Sequence, residues 1–452
     1  MKDNRNYTIS DKWIMRHDPY YFDTHSLYNI ETRTLVKITP ALFAFLSVFY
    51  HKAISYSTLY EYFISKGITL KWKNLKEVEK EFGLDNFFIQ SEKEYHTHSV
   101  SSNIQKIKNI PIASTPVDVE LLLTHNCNLR CKHCFQSSEA HSDKRIPLSV
   151  DEWFSIFKQF ETANIYSVII SGGEPMMYPN FEELLRRISK LNISISILTN
   201  GMLISERNVR LFQNKNITIT ISLDGGTKQD HEFLRGKNTF DVLERKISLL
   251  TSKGVKLNIA HTINKHNVKH LEQTIRYLIA HGIKSLSVNF VEPEGRATAN
   301  DDLLLSPTEE RKALEKIRKL ESNYRNSISI DFPNLSYKKD TIGFSNQPNI
   351  FCAAGTKRIA ISTDGEVYPC VYAFDIPFLK VGDLKKESLQ EIWEKHEAWN
   401  FMRGGIKLSQ IEGCANCKLN SACSMRNCRI KSYTVENGIF AKPHNCLIDK
   451  IK

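Results

Sequence analysis

Cysteine is scarce and unevenly distributed in this chain: there are ten in 452 residues, and none between Cys134 and Cys352. That gap excludes a disulfide scaffold spread through the fold. Long apolar runs are missing too. No stretch approaches the roughly 20 apolar residues that span a bilayer, and the start, "MKDNRNYTISDKWIM", has no apolar signal core. A cytoplasmic protein without a membrane partner is therefore expected. In that reducing setting the thiols are expected to be metal ligands or catalytic groups, not disulfides. A basic block is also absent. The net charge is +11 and the pI near 9.0, but Lys and Arg are scattered beyond short runs such as "KWKNLK", so a solvated surface is expected and no nucleic-acid partner. Internal repeats and low-complexity tracts are lacking.

What is present is length for two or three domains and a regular alternation from Val117 to about Ile330. "VDVELLL", "YSVIIS", "ISISILT", "ITITISL", "VKLNIAHTI" and "KSLSVNF" are six strand candidates. Amphipathic helical segments such as "SVDEWFSIFKQFETA" and "NVKHLEQTIRYLIAHG" separate them. Ser149 with Glu152 forms a capping-box pattern at the first helix. Strands joined through helices pair in parallel by right-handed crossovers, and chemistry in such folds gathers at the carboxyl ends of the strands. "CNLRCKHC" (127–134) follows the first strand, "GGEP" (172–175) the second and "TNG" (199–201) the third. All three are expected on one rim. Before Val117, "YYFDTHSLYNIETRTLVKIT" reads as a hairpin, followed by three short helices and a strand at "NFFIQ". After Asn346 the chain is cysteine-rich, with a hairpin at "STDGEVYPC" and a helix around "LQEIWEKHEAW".

Three cysteines within eight positions do not complete the four ligands of a structural zinc site. They would hold an iron-sulfur cube by three corners and leave the fourth iron open. Cys127, Cys131 and Cys134, spaced CxxxCxxC with His133 and Phe135 beside the last, and followed by Gly172, Gly173, Glu174 and Pro175, resemble the radical S-adenosylmethionine (radical SAM) superfamily. The resemblance implies a [4Fe-4S] cluster whose open iron is chelated by the methionine part of S-adenosylmethionine. One-electron cleavage of that sulfonium would yield a 5′-deoxyadenosyl radical able to abstract hydrogen. By the same resemblance, Gly172 and Gly173 admit the ligand to the backbone, and Glu174 accepts from its amino group. Ser222 bonds ribose or carboxylate, Arg235 forks to the carboxylate, and Phe135 lies at the cofactor. Asn289 and the "PEGRA" stretch, Pro293 to Ala297, also match.

The last hundred residues resemble a SPASM domain, through Cys352, Gly365, Cys370, Cys414, Cys417, Cys423, Cys428 and Cys446. One spacing departs, with four residues between Cys423 and Cys428 where three are usual. Mapped onto that pattern, Cys414, Cys417, Cys423 and Cys446 hold one auxiliary [4Fe-4S] cluster, and Cys352, Cys370 and Cys428 a second with an open iron. Three clusters then use all ten thiols; a pair of zinc sites is the alternative for the seven C-terminal cysteines. The expected fold is α/β. A winged-helix-like α+β peptide-recognition domain (1–110) precedes a partial (β/α)6 radical SAM barrel (111–330) and a cysteine-rich SPASM domain (331–452).

The resemblance implies an oxidoreductase that matures a ribosomally made peptide, with a leader-bearing precursor peptide and a reductant such as flavodoxin or ferredoxin as partners. With no thiol left as a hydrogen donor, a net oxidative product is expected, first a sactipeptide-type thioether from cysteine sulfur to carbon, with carbon-carbon or carbon-oxygen crosslinks fitting almost as well. The alternatives are an anaerobic sulfatase maturase, which would start near the barrel without the first 110 residues, and an iron-sulfur electron carrier without catalysis.

Overall fold

The computed structural model describes residues 5–19, 24–51, 53–84, 86–91, 110, 112–141, 146–332, 349–417, 428–436, 438–443 and 446. Cys423 lies outside them. The chain begins with β1 (Asn6–Ile9), β2 (Trp13–Asp18), β3 (Thr24–Asn29) and β4 (Leu35–Ile38). Helix α1 (Pro40–His51), β5 (Ile54–Ser55), α2 (Tyr56–Ser65), α3 (Leu75–Phe82) and β6 (Phe88–Gln90) follow. They form two small antiparallel sheets, β5-β1-β6 and β2-β3-β4. A core containing Trp13, Leu27, Phe45, Phe49 and Phe87 joins them to the helices. The expected hairpin is β3–β4, and β2, absent from the sequence-based expectation, extends it.

The central region alternates as its pattern predicts: β7 (Asp118–Leu122), α4 (Val150–Thr162), β8 (Ser167–Ser171), α5 (Phe181–Ile188), β9 (Ser194–Thr199), α6 (Glu206–Phe212) and β10 (Ile217–Ser222). Then come α7 (Lys228–Arg235), α8 (Phe240–Ser252), β11 (Leu257–Ile263), α9 (Leu271–Ala280), β12 (Ser285–Phe290), α10 (Pro307–Tyr324) and β13 (Ser329–Asp331). Strands β7 to β13 are parallel, and β-branched residues are frequent in β8, β9 and β10. In β10, Ile217, Ile219 and Ile221 are buried while Thr218, Thr220 and Ser222 are only half-buried. One face thus packs under the helices, and the other meets a looser, polar interior. The box at α4 forms as expected, with Ser149 Oγ accepting from Glu152 N and Glu152 Oε2 accepting from Ser149 N.

The C-terminal region contains β14 (Asn349–Cys352), a kinked turn α11 (Ala353–Thr356), β15 (Lys357–Ile361), β16 (Glu366–Tyr368), β17 (Gly382–Asp383), α12 (Leu389–Glu394), α13 (His396–Trp399), β18 (Arg403–Lys407) and α14 (Arg429–Glu436). β15 pairs in parallel with β7, with Ile361 opposite Leu121. The barrel sheet therefore runs on through β15, β16 and β17 to ten strands, across the position where the sequence pattern changes. This continuation was not expected: the six strand candidates gain β13 on one flank and β15–β17 on the other. Buried Arg403 stacks on Trp393 and Trp399 and donates to Gly355 O, fastening β18 to the turn after Cys352. Among the described residues no helix is long and apolar enough to cross a membrane.

The N-terminal sheets dock at the amino ends of the barrel strands. Buried Arg16 pairs with Asp18 at 2.8 Å and donates to the carbonyls of Thr115, Pro116 and Asn164. Tyr28 stacks on Tyr166, which shares a 2.7 Å hydrogen bond with Ser26. Breaking a buried pair leaves an uncompensated charge, so Arg16→Met is expected to remove about 3–5 kcal/mol in urea unfolding. Lys12→Met, which disrupts the half-exposed pair with Glu31, should change stability by less than about 1 kcal/mol.

Candidate functional site

The segment after β7 folds as a loop held from several sides. Cys127 N donates to Glu139 O, Lys132 N to Leu234 O on α7, and Cys134 N to Cys131 O. Arg296, from the "PEGRA" stretch, closes over it: its backbone N donates to Cys134 O, Nε to Cys131 O (2.8 Å) and Nη2 to Ser138 O (2.9 Å). Cys127, Cys131 and Cys134 thereby share one pinned loop at the carboxyl rim.

The two glycines act on the chain itself. Gly172 has φ +140, and a Cβ there would lie 2.3 Å from Thr124 O; at Gly173 it would lie 2.4 Å from the carbonyls of His125 and Asn126. Gly173 N and Glu174 N donate to Thr124 O and Asn126 O at 2.8 Å each. Absence of a side chain lets the end of β8 lie against the root of the cysteine loop. The sequence suggested room for a ligand; the space a Cβ would fill is occupied by backbone.

Glu174 is fully buried. Burial raises its pKa, opposed by hydrogen bonds from Asn200 N (2.8 Å), Thr199 Oγ1 (2.7 Å) and Met176 N (3.3 Å). A carboxylate has about four acceptor positions, so one remains. Asn200 Nδ2 also reaches Asn128 Oδ1 at 2.8 Å and Cys127 Sγ at 3.8 Å. "TNG", placed on the rim from sequence without a role, thus orients both the glutamate and the first cysteine.

Arg235 at the end of α7 is engaged by the protein. Its Nε donates to Asp224 Oδ2 at 2.6 Å, and Nη1 reaches Cys131 Sγ at 3.9 Å. Burial would raise Asp224, yet Arg235 together with His133, His261 and His231 outweighs it and holds the carboxyl below its usual range. Three imidazoles surround this pair. Burial lowers His133 to about 4 and His231 to about 3, so both are neutral near pH 7. His231 Nδ1 accepts from Asp224 N (3.3 Å), and His261 Nδ1 faces Leu223 O at 2.9 Å. The neutral tautomers then leave a donor at His231 Nε2 and an acceptor at His261 Nε2. Both are buried without a partner among the described residues. Asp224, His231 and His261 carried no assignment from sequence, and Arg296 only its place in the matching "PEGRA" stretch. A signal existed in the helical i, i+4 spacing of His231 and Arg235. Ser222 stands half-buried at the end of β10, Asn289 is exposed near the end of β12, and Phe135 lies 5.6 Å from the ring of Tyr372.

The donor chemistry suits a multi-thiolate cofactor. Burial pushes the Cys127 thiol up to about 11 and raises Cys131 as well, so thiolates here require a bound cation. The C-terminal domain repeats this environment. Cys352 is pushed up to about 11 by burial with Cys428 nearby; Cys370 is raised by burial with Cys352 and Cys428 close. Tyr372 N and Lys431 N donate to the sulfurs of Cys370 and Cys428. Cys414, Cys417 and Cys446 lie in the later segment, Cys417 N donating to Cys414 O. Their expected fourth partner, Cys423, is outside the described residues. Among the described residues no three His, Cys, Asp or Glu side chains converge to chelate a single metal ion.

Gly173→Ala drives its Cβ into the carbonyls of His125 and Asn126 and displaces the root of the loop, at a cost on the order of 1–3 kcal/mol. In metal-free, reduced protein, alkylation of Cys127 is expected to accelerate about tenfold, with unchanged rates at Cys352 as the internal control, followed by mass spectrometry.

Comparison with known proteins agrees with this geometry. Residues 121–278 match the radical SAM superfamily, and residues 352–418 match the SPASM iron-sulfur cluster-binding domain. The chain is similar to the PqqA peptide cyclase of Ruegeria pomeroyi, 27% identical over 313 residues covering 68% of this chain and 81% of that protein. It is also similar to the antilisterial bacteriocin subtilosin biosynthesis protein AlbA of Bacillus subtilis, 26% identical over 290 residues covering 63% of this chain and 61% of that protein. In structure it resembles Streptococcus suis SuiB. The form bound to S-adenosylmethionine has TM-score 0.73 at 19% identity; the form bound to the precursor peptide SuiA has 0.71 at 18%. Each likeness covers 97% of this chain and 99% of that chain. The chain therefore carries a radical SAM domain followed by a SPASM iron-sulfur cluster-binding domain.

Proposed function

We propose that this radical SAM enzyme modifies a ribosomally made precursor peptide, most directly by joining a cysteine sulfur to a carbon in a thioether. The observation that carries the proposal is the single loop that holds Cys127, Cys131 and Cys134 at the carboxyl rim, pinned by Arg296 beside buried Glu174. In this reading those thiols are the ligands of a [4Fe-4S] cluster. Cys352, Cys370 and Cys428 serve one auxiliary cluster, and Cys414, Cys417, Cys423 and Cys446 another. When bound, S-adenosylmethionine and the clusters supply one-electron cleavage, hydrogen abstraction from the peptide and an exit for the second electron.

The chain's own groups bind and orient. Glu174, fixed by Thr199 and Asn200, presents its remaining acceptor position to the cofactor's amino group, and Ser222 and Phe135 face the cofactor from neighbouring segments. Gly172 and Gly173 keep the cysteine loop close to the sheet. Arg235 is held by Asp224 and directs Nη1 to Cys131, so it supports the sulfur ligand as well as a carboxylate. The N-terminal sheets receive the leader, and β4, at the edge of the β2-β3-β4 sheet, offers a strand for pairing with an extended peptide. The likeness to SuiB over nearly the whole chain, in a form bound to a precursor peptide, supports a peptide substrate. Assignment of every thiol to metal supports an oxidative product over epimerisation.

Anaerobically reconstituted protein is expected to hold about twelve irons. With dithionite it should convert S-adenosylmethionine to 5′-deoxyadenosine, and a precursor peptide encoded beside the gene should lose two hydrogens and one free thiol. Absence of 5′-deoxyadenosine from iron-replete protein would sink the proposal; a modified peptide that keeps its thiol would remove only the thioether. Glu174→Gln leaves one carbonyl acceptor where two carboxylate oxygens now serve. Affinity for S-adenosylmethionine is expected to fall about 10- to 100-fold in equilibrium dialysis.

A further inference from the structure

Asp224, in the "ISLDGG" stretch after β10, is fully buried. Gly225 lets this loop lie directly on α7, since a Cβ there would stand 2.3 Å from Asp230 Cβ. Four contacts then fix the aspartate. Oδ1 accepts from Thr262 N on β11 at 2.8 Å, and Oδ2 accepts from Arg235 Nε on α7 at 2.6 Å. The backbone N donates to His231 Nδ1 (3.3 Å), and the carbonyl accepts from Asn267 Nδ2 (2.9 Å). The carboxylate is thus immobilised from β11, α7 and the turn at Asn267, and it immobilises Arg235 in turn.

Arg235 carries a charge that proteins do not remove, and its Nη1 lies 3.9 Å from Cys131 Sγ. Among the described residues Asp224 is the one carboxylate paired with it. Asp230, also on α7, is engaged by His270 and by Thr227 at 3.0 Å each. Glu174 is within electrostatic reach of Arg235, but its oxygens accept from Thr199, Asn200 and Met176. His133, His231 and His261, which face Asp224 from the cysteine loop, α7 and β11, are held towards neutrality by burial. The other cations of the loop stand apart from this pair. Arg130 is exposed and bonded to Glu139, Lys132 is exposed over the Phe233 ring, and Arg296 donates to the carbonyls of Cys131 and Ser138.

We propose that Asp224 is a positioning residue that sets the reduction potential of the cluster held by Cys127, Cys131 and Cys134. A cluster on three thiolates becomes more negative when it gains an electron, so a bare cation beside a ligating sulfur favours the reduced form and raises the potential. A higher potential makes a weaker reductant, and splitting a sulfonium requires a strong one. By matching Arg235, Asp224 leaves the N–H···S contact in place while cancelling the charge behind it. The inference rests on the radical SAM reading of the cysteine loop and adds the group that poises it.

The test is a redox titration of anaerobically reconstituted full-length protein, followed by electron paramagnetic resonance on the signal that added S-adenosylmethionine alters. In D224N the reduction equilibrium of that cluster is expected to shift about tenfold towards the reduced form, 59 mV for one electron, while the other signals keep their potentials. In D224N/R235Q both charges are gone, and the potential is expected at or below that of the unaltered protein. A merely structural aspartate would leave the double variant displaced as far as the single one. An unchanged potential in D224N, or an equal rise in both variants, overturns the proposal. Should D224N fail to take up iron, metal-free reduced protein gives a second reading. Alkylation of Cys131 relative to Cys352 is expected about tenfold faster in D224N and not in D224N/R235Q, because an unmatched cation favours the thiolate; a rate in D224N equal to that of the unaltered protein overturns the proposal.

Iron content and formation of 5′-deoxyadenosine are measured on the unaltered protein. If 5′-deoxyadenosine forms and D224N behaves like its parent, only the role of Asp224 fails. If iron-replete protein forms none, the enzymatic reading fails whatever the variants do.

Discussion

The close backbone approach between the end of β8 and the root of the cysteine loop is the constraint on which the rest of the site depends. Two glycines permit it, and paired N–H···O contacts from Gly173 and Glu174 to Thr124 and Asn126 hold it. A side chain at either glycine would push the loop from the rim and carry three cysteines with it. Glu174 enters the interior only because its own backbone is part of this contact. Parallel pairing of β7, β8 and β9 brings "GGEP" and "TNG" to the same edge as the loop, so local geometry and sheet topology act on the same few atoms.

Around that contact the protein arranges charge in a dry environment. Asp224 and Arg235 form a buried pair, and neutral histidines fill the space beside it without adding charge. The pair extends to a cysteine sulfur, so an ionic interaction that is often neutral for stability acquires a positioning role. Buried thiols resist ionisation, and the same resistance recurs at Cys352, Cys370 and Cys428, where backbone N–H groups point at the sulfurs. The C-terminal domain is tied to the barrel by β15 on β7. The turn at Ser362 and Thr363 thereby reaches the rim and becomes one wall of a cavity that Phe135 also lines.

The N-terminal sheets sit at the other ends of the barrel strands, through Arg16, Tyr28 and Ser26. Strands of five or six residues rise roughly 17–20 Å. Under the proposed leader-binding role, a peptide held by these sheets would cover about that length before its core reaches the rim, and an extended chain does so in about six residues. Docking by a buried ion pair and stacked tyrosines fixes this spacing more firmly than a linker would.

Much of the fold was legible because it is periodic. Six β-rich runs separated by amphipathic helices dictate parallel pairing through crossovers, and with it the shared rim of Cys127, Gly172, Glu174 and Thr199. Spacing within the chain also brought Cys127, Cys131 and Cys134 together, since residues that share one loop lie near one another in sequence. Distance in sequence hid the remainder. That β15 would join β7, some 240 residues earlier, that Arg296 would clamp the cysteine loop, and that Arg235 would be taken up by Asp224 are outcomes of packing, in which residues meet because helices and sheets fill space against one another. Composition and order determined which elements form and which thiols could share a cofactor. Tertiary structure alone decided which buried charges face each other, because those contacts join residues that no local pattern relates.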